Sequence, residues 1–182
     1  EMKAKTGWWA NKYASQFGLK GRFNKGQIKY FYRLEYNFAR PYTYSHMSSG
    51  QNYGNQGMTL AHPLGGNFRE ILWEMKISKK QWLFKVFACY FLQGRDKNGY
   101  SYGSNIYTPY TLRPSDYGNY IGQGVTNRAI RLAFTVSYQL SNRGNLNLFC
   151  ENQLRYDSYN NRTVYFPIIG LRSQLWNDYR NY

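Results

Sequence analysis

The stretch that decides the fold is residues 27–39, which read QIKYFYRLEYNFA. Its even-numbered positions carry the apolar side chains Ile28, Tyr30, Tyr32, Leu34, Tyr36 and Phe38, and its odd-numbered positions are mostly polar. Successive side chains of a β-strand point to opposite faces, whereas a helix would scatter these residues around its circumference. Residues 27–39 therefore predict a strand with one apolar and one polar face.

The same alternation recurs in six further segments, at residues 13–23, 71–77, 82–92, 130–140, 146–156 and 162–175. The last segment contains Pro167, which a sheet tolerates best at an edge or a bulge. The sequence thus predicts an all-β fold with seven antiparallel strands.

Short and long connections alternate between these strands. Short turns are predicted at residues 24–26, 78–80 and 141–144, and long loops at about 40–66 and 94–126, with a smaller loop at 157–161. Outer-membrane barrels have short turns at their periplasmic end and longer loops at their extracellular end. The pattern predicts an antiparallel transmembrane β-barrel of outer-membrane type, an integral multi-pass protein with the long loops at the cell surface.

The composition of the 182-residue chain narrows the class of protein. A hydrophobic content of 42% argues against a disordered basic tail, and no run approaches the roughly 20 apolar residues of a transmembrane helix. The net charge of +15 suggests nucleic acid, an anionic membrane surface or an acidic polymer as a partner.

Two other β-folds compete with the membrane barrel. A soluble barrel also has alternating strands, and a soluble basic β-domain could bind nucleic acid through stacked aromatic rings. The apolar faces favour the membrane barrel, because they span about ten residues and carry aromatic rings near their ends, as at Tyr36, Trp82 and Tyr90.

The odd number of strands predicts an incomplete barrel. With the short turns in the periplasm, strand one starts outside and strand seven ends in the periplasm, whereas single-chain bacterial barrels have an even number of strands. We therefore expect residues 1–182 to be the C-terminal portion of one larger barrel domain. Asp178 and Arg180 break the apolar alternation before Tyr182, so the last strand is expected to end near Leu175, followed by a short periplasmic tail.

Two segments around the first long loop carry a family resemblance. Residues 34–46, LEYNFARPYTYSH, and residues 52–70, NYGNQGMTLAHPLGGNFRE, are similar to segments of Wzi-type capsule-assembly barrels and related outer-membrane proteins of gliding Gram-negative bacteria. Residues 11–20, NKYASQFGLK, resemble the strand that precedes them there. The similarity extends loosely over residues 11–175.

This resemblance implies a lectin-like outer-membrane barrel of about eighteen strands, of which this chain would supply about seven or eight. The implied function is non-catalytic binding or organisation of capsular or exopolysaccharide at the cell surface. The alternative is a structural or partner-binding barrel subunit of a gliding-motility or secretion apparatus. Expected partners are outer-membrane lipid and lipopolysaccharide, anionic polysaccharide, and other outer-membrane or periplasmic proteins, without nucleic acid.

The first long loop holds the candidate polysaccharide-binding residues. Aromatic rings offer flat faces to sugars, and arginine binds carboxylates through two hydrogen bonds. The candidates are Arg40, Tyr42, Tyr44, His46, Tyr53, His62, Arg69 and Glu70. A structural role is equally open, since an ordered loop needs Pro and Gly turns whatever it binds.

Charged side chains on the polar strand faces are expected in the barrel lumen. An Arg or Lys facing lipid at the bilayer midplane costs about 2–4 kcal/mol. The candidate lumen charges are Lys29, Arg33, Glu35, Lys85, Arg131, Glu151 and Arg155. They would form either a network of opposite charges or a basic lumen that attracts an anionic polymer.

No residue pattern predicts an enzyme, a metal site or a cofactor. His46 and His62 lack the nearby Cys or carboxylate cluster of a zinc site, and the adjacent Ser45 and His46 cannot be assigned triad geometry with Glu70. Cys89 and Cys150 are predicted to lie on opposite faces of the sheet as two free thiols, because a disulfide needs Cα atoms within about 7 Å.

Overall fold

The computed structural model describes residues 6–141 and 145–173, which form an all-β structure. Seven strands make one antiparallel sheet in which each pairs with its neighbours along the chain. They are β1 (Ala14–Lys25), β2 (Ile28–Ala39), β5 (Phe68–Lys79), β6 (Trp82–Arg95), β7 (Val125–Ser141), β8 (Leu146–Asp157) and β9 (Arg162–Arg172). Strands β3 (Gly54–Asn55) and β4 (Met58–Thr59) form a small separate hairpin. The predicted all-β class and seven antiparallel strands are confirmed, with β1 and β9 at the edges of the sheet.

The strands extend further into the short turns than predicted. Gly26 and Gln27 connect β1 to β2, and Lys80 and Gln81 connect β5 to β6, so the turns lie one or two residues beyond their expected positions. Gly26 has a φ of 58° and Lys80 one of 52°, as a two-residue hairpin turn requires. Residues 142–144 of the third turn and the predicted strand end and tail at 174–182 lie outside the described residues.

The long connections lie at the other end of the sheet, as predicted. Residues 40–67, which we call loop one, include β3, β4 and the 3-10 turn Ser49–Gln51. Residues 96–124, loop two, include the 3-10 turn Tyr110–Leu112, and residues 158–161 form the smaller loop. No helix within residues 6–141 or 145–173 has the length and apolar character needed to cross a membrane.

Strand register brings most of the apolar side chains of the seven strands onto one surface, the apolar face. A central row consists of Leu19, Leu34, Trp73, Ala88, Leu132, Leu154 and Tyr165. The large side chains of this row are exposed, from 61% at Leu19 and 59% at Tyr165 in the edge strands to 39% at Trp73 and 38% at Leu154 in the interior of the sheet. In the part of the chain that the structure describes, no second sheet or helix layer covers this face.

The opposite surface, the polar face, is the more buried one. Asn37, Glu74 and Thr135 are each less than a tenth exposed. A small apolar core of Cys89, Phe91 and Ala129 also lies on this side, where Leu64 of loop one packs against it. The sheet therefore buries the central part of its polar face and exposes its apolar face, whereas a soluble sheet packs its apolar face into the core.

The two cysteines confirm this assignment of faces. Cys89 is buried on the polar face, opposite Leu72 and Arg131 in the neighbouring strands. Cys150 is exposed on the apolar face, opposite Val136 and Ile169. Both are free thiols, as predicted.

Candidate functional site

The loops fold together into one cap at the loop end of the sheet, and Asn67 joins its parts. The Asn67 side-chain amide donates to the carbonyls of Gly94, Tyr102 and Gln123 at 2.9–3.0 Å. Its oxygen accepts from the Gly122 N–H at 2.7 Å. Asn67 is fully buried with a φ of 55°, in the left-handed region that asparagine tolerates. We call loop one, loop two and residues 6–13 together the loop cap.

Residues 6–13 belong to the loop cap through backbone pairing with loop two. Trp9 donates to the Asp116 carbonyl at 2.9 Å, and Gly118 and Asn119 donate to Thr6 and Gly7 at 2.8 Å. The Trp9 ring lies 4.6 Å from the ring of Tyr110. Sequence reasoning missed this contribution, although two adjacent tryptophans outside the strand pattern are a signal of packing.

Cations surround the Trp9 ring within the loop cap. The Arg113 guanidinium lies 4.2 Å from the ring centre, and the Lys12 ammonium lies 5.2 Å from it and 4.4 Å from the Tyr110 ring. The ammonium donates to the Ser45 carbonyl at 2.8 Å. Burial, with a smaller contribution from the Arg113 charge, lowers the pKa of Lys12. Lys12 thus fastens the N-terminal segment to loop one.

Tyr42 is a structural residue of the cap, which corrects its assignment as a ligand contact, and the half-buried Arg40 also holds the cap together. Tyr42 is fully buried, and its hydroxyl donates to the Ser101 carbonyl at 2.9 Å. Burial raises the pKa of this phenol well above its usual range. The Arg40 guanidinium donates to the Asn119 carbonyl at 3.1 Å and lies 5.5 Å from the Tyr13 ring. Tyr42 has no accessible ring face for a sugar.

Tyr44, Tyr53 and His46 lie toward the surface of loop one. The rings of Tyr44 and Tyr53 stack with centres 5.9 Å apart, and the Tyr53 side chain is 55% exposed. Burial raises the pKa of the half-buried Tyr44, and the neighbouring Tyr53 adds to the shift. His46 is exposed, with its ring 6.0 Å from that of Tyr110. Here the structure does offer the accessible aromatic surface that the sequence predicts.

His62 and Glu70 meet where loop one enters β5. The Leu64 N–H donates to His62 Nδ1 at 3.2 Å, so the Nε2 proton is directed to the Glu70 carboxylate, 3.0 Å away. Glu70 also accepts from the Asn37 amide at 2.9 Å and from the Cys89 thiol at 3.5 Å. This cluster ties the loop to the sheet.

A cleft of about 270 Å³ lies beside His62 and Tyr44. Gln16 and Asn37 contribute its polar side chains, and Phe38 and Phe68 its apolar ones. The cleft brings one stacked tyrosine together with amide groups, a combination that suits a sugar ring. It does not include His46, and the Ser45, His46 and Glu70 set is not assembled, because Glu70 is engaged with His62.

All predicted lumen charges share the polar face. Glu74 is their centre, with Arg33 at 3.4 Å, Lys76 at 3.2 Å and Lys85 at 3.4 Å. Glu35 lies 3.6 Å from Arg33, and Glu151 accepts from Thr135 at 2.8 Å. Lys29 occupies the same face opposite Ser78 near the turn end. The predicted network of opposite charges is therefore present on β2, β5 and β6.

Arg131 and Arg155 stand apart from this network. They lie directly opposite each other on β7 and β8, both exposed on the polar face. The Arg131 guanidinium lies over Phe91 at 5.5 Å, and that of Arg155 lies over Phe166 at 5.4 Å and donates to Gln153. Neither has an acidic partner among the described residues. Like charges at directly opposite positions repel, so an anion between them is favoured.

Arg69 is not part of the loop cap, which corrects its assignment to loop one. It continues the odd-numbered apolar positions of β5 and lies on the apolar face, opposite Phe38 and Leu92. Its side chain is exposed at the loop end of that face.

No group of three or more His, Cys, Asp and Glu side chains within residues 6–141 and 145–173 is arranged to hold a metal ion. The candidate site consists of the basic polar face of the sheet and the exposed tyrosines of the loop cap. Comparison of the chain with family models, with curated proteins and with solved structures finds no match.

Proposed function

We propose that this chain forms part of an outer-membrane β-barrel that binds anionic polysaccharide at the cell surface without catalysing a reaction. The arrangement of the sheet carries the proposal: seven strands expose a continuous apolar face and place the charged network around the buried Glu74 on the opposite face. Lipid is the solvent that makes this arrangement stable, because water penalises a large exposed apolar surface. In the complete barrel, further strands would pair with β1 and β9.

The height of the apolar face supports a membrane location. On β5, Ile71, Trp73, Met75 and Ile77 lie on this face between Arg69 and Lys79. About ten residues of strand cover about 33 Å, and a tilt of about 45° reduces this to about 23 Å along the membrane normal. The apolar band of outer-membrane barrels is about 25 Å tall. The face thus has the height of a bilayer core.

Charge on the polar face supports an anionic ligand. Within the described strands this face carries more cations than acids, and Arg131 and Arg155 form an adjacent pair without an acidic partner. Arginine binds carboxylates through two parallel hydrogen bonds, and the sugar rings of the polymer would stack on Tyr53 and Tyr44. The similarity of residues 34–70 to Wzi-type capsule-assembly barrels agrees with this ligand class.

The binding test compares two pairs of cations on opposite faces. In the full-length protein, Arg131→Gln with Arg155→Gln should weaken binding of polygalacturonate by on the order of tenfold or more, because charge-assisted hydrogen bonds are lost. The matched control is Lys25→Gln with Lys79→Gln, which removes two cations from the turn end of the apolar face. Isothermal titration calorimetry measures the affinity of each double variant for polygalacturonate and for neutral dextran.

Three outcomes separate the candidates. The proposal is supported if the arginine variant alone loses affinity, and loses it for polygalacturonate but not for dextran. If both variants bind polygalacturonate as tightly as the unmodified protein, the anionic-ligand role is wrong, and the structural or partner-binding barrel is the remaining candidate. Partition of the unmodified full-length protein into the aqueous phase of a detergent extraction overturns the membrane barrel and favours the soluble basic β-domain.

A further inference from the structure

Two arginines lie at the loop end of the apolar face, where a charge on a lipid-exposed surface is unexpected. Arg69 on β5 and Arg128 on β7 are the positions opposite Leu92 of β6, so all three share one row. Both arginines are exposed. In the described part of the chain, neither guanidinium has an ion pair, a hydrogen bond or a ring contact.

The row beneath the arginines is a band of tyrosines on alternate strands. Tyr36, Tyr90 and Tyr156 lie on β2, β6 and β8, with Ile71 and Ile130 between them on β5 and β7. Tyr36 and Tyr90 therefore lie diagonally below Arg69, and Tyr90 and Tyr156 lie diagonally below Arg128. Aromatic rings of this kind mark the level of the lipid headgroups in outer-membrane barrels.

The spacing of the two arginines suits a phosphate group. One strand separates β5 from β7, so the two Cα atoms are about 10 Å apart. Long side chains rooted at that distance can converge on one phosphate or bind two neighbouring ones. Arginine supplies a planar fork that matches phosphate, whereas lysine supplies a point charge.

The two ends of the apolar face carry different cationic residues. Lys25 and Lys79 occupy the turn end, separated by Ile28 of β2, and arginines occupy the loop end. Acidic side chains are absent from this face in the described strands. A phosphate-rich headgroup at the loop side of the membrane would complement the forked donors found there.

We propose that Arg69 and Arg128, with Tyr90 one row below on the strand between them, form a binding site for the phosphate groups of a phosphorylated glycolipid in the outer leaflet. The site rests on the proposed function, because it requires the apolar face to lie in the membrane. The lipid's acyl chains would cover Leu92 between the arginines and Ile71 and Ile130 in the row below them. Such a lipid would hold the barrel at a fixed depth.

Native mass spectrometry of the full-length protein in detergent, with diphosphoryl lipid A as the probe, tests this site. Arg69→Gln with Arg128→Gln should lower the affinity for this lipid by on the order of a hundredfold, because two charge-assisted contacts are lost. Arg69→Lys with Arg128→Lys keeps the charge and should restore only part of the affinity. Lys25→Gln with Lys79→Gln should leave it unchanged.

The outcomes distinguish this site from the barrel proposal. If the protein partitions into detergent and the Arg→Gln variant binds lipid A as tightly as the unmodified protein, the site is wrong and the barrel stands. If inorganic phosphate alone displaces the lipid, the site binds free anions and the lipid assignment is wrong. If the protein remains in the aqueous phase, both proposals fail. Unchanged polygalacturonate binding by the Arg→Gln variant shows that it is folded.

Discussion

Leu154→Arg is expected to prevent stable insertion of the protein into lipid, whereas Gln153→Arg is expected to have little effect. Leu154 lies near the middle of the apolar face, between Leu132 and Tyr165. An arginine facing lipid at this depth costs about 2–4 kcal/mol. Gln153, its neighbour in β8, points to the polar face, where it bonds Glu151 and the Arg155 guanidinium.

The measurement is the free energy of unfolding by guanidinium chloride in phospholipid vesicles, with the fraction of inserted protein determined in parallel. Because the two positions are adjacent in one strand, local backbone effects cancel in the comparison. In water the prediction is different: Leu154 is already 38% exposed, and an exposed Leu→Arg change would cost within about 0.5 kcal/mol. Equal stability of the two variants in vesicles would contradict the membrane-facing assignment.

Asn67→Ala is expected to release the loop cap from the sheet while leaving the strands paired. The substitution removes one hydrogen bond each from the Gly122 N–H and from the Gly94, Tyr102 and Gln123 carbonyls, of which the Tyr102 carbonyl keeps a second donor, the Gln123 amide at 3.4 Å. Each buried group left without a partner costs about 1–3 kcal/mol, and a left-handed alanine adds about 1–2 kcal/mol. Some groups will find water, so we expect the cap to lose about 3–6 kcal/mol of local stability.

Hydrogen exchange measures this effect residue by residue. The Gly122 amide should exchange much faster in Asn67→Ala, and amides in the middle of β6 and β7 should not change. Asn98→Ala is the matched control, because Asn98 is an exposed loop-two residue with a φ of 54° and shares only the backbone strain. A comparable loss of protection in both variants would show that strain, and not the hydrogen bonds of Asn67, is responsible.

Strand positions and face assignments could be predicted from the sequence because they depend on a local signal. The alternation of residues 27–39 places Tyr36 and Asn37 on opposite faces before any partner is known, and the register confirms both. The same parity would have placed Arg69 on the apolar face with Ile71. Reading Arg69 as a loop residue was wrong because β5 starts at Phe68, before the regular alternation begins.

Loop residues could not be predicted in the same way, because their environments depend on distant partners. Tyr42 is buried by contact with Ser101, 59 residues away, and with Gln123, 81 residues away. Glu70 pairs with His62 and not with His46, since the Pro63 to Gly66 turn directs that ring toward β5. The sequence contains one local indication of the role of Asn67, because a pair of glycines and this asparagine directly precede a strand.

The order of the seven strands in the sheet predicts how the chain folds, because strands that follow one another in the chain are also neighbours in the sheet. Each of the seven strands of the large sheet pairs with the next of the seven along the chain, and four of the six pairings close over connections of two to four residues. Loop-closure entropy is small for such pairings, so hairpins can form first and join one after another. We expect one hairpin to form first and the neighbouring strands to add to it one after another. Closure of the two long loops, which joins completed hairpins, should be the slow step.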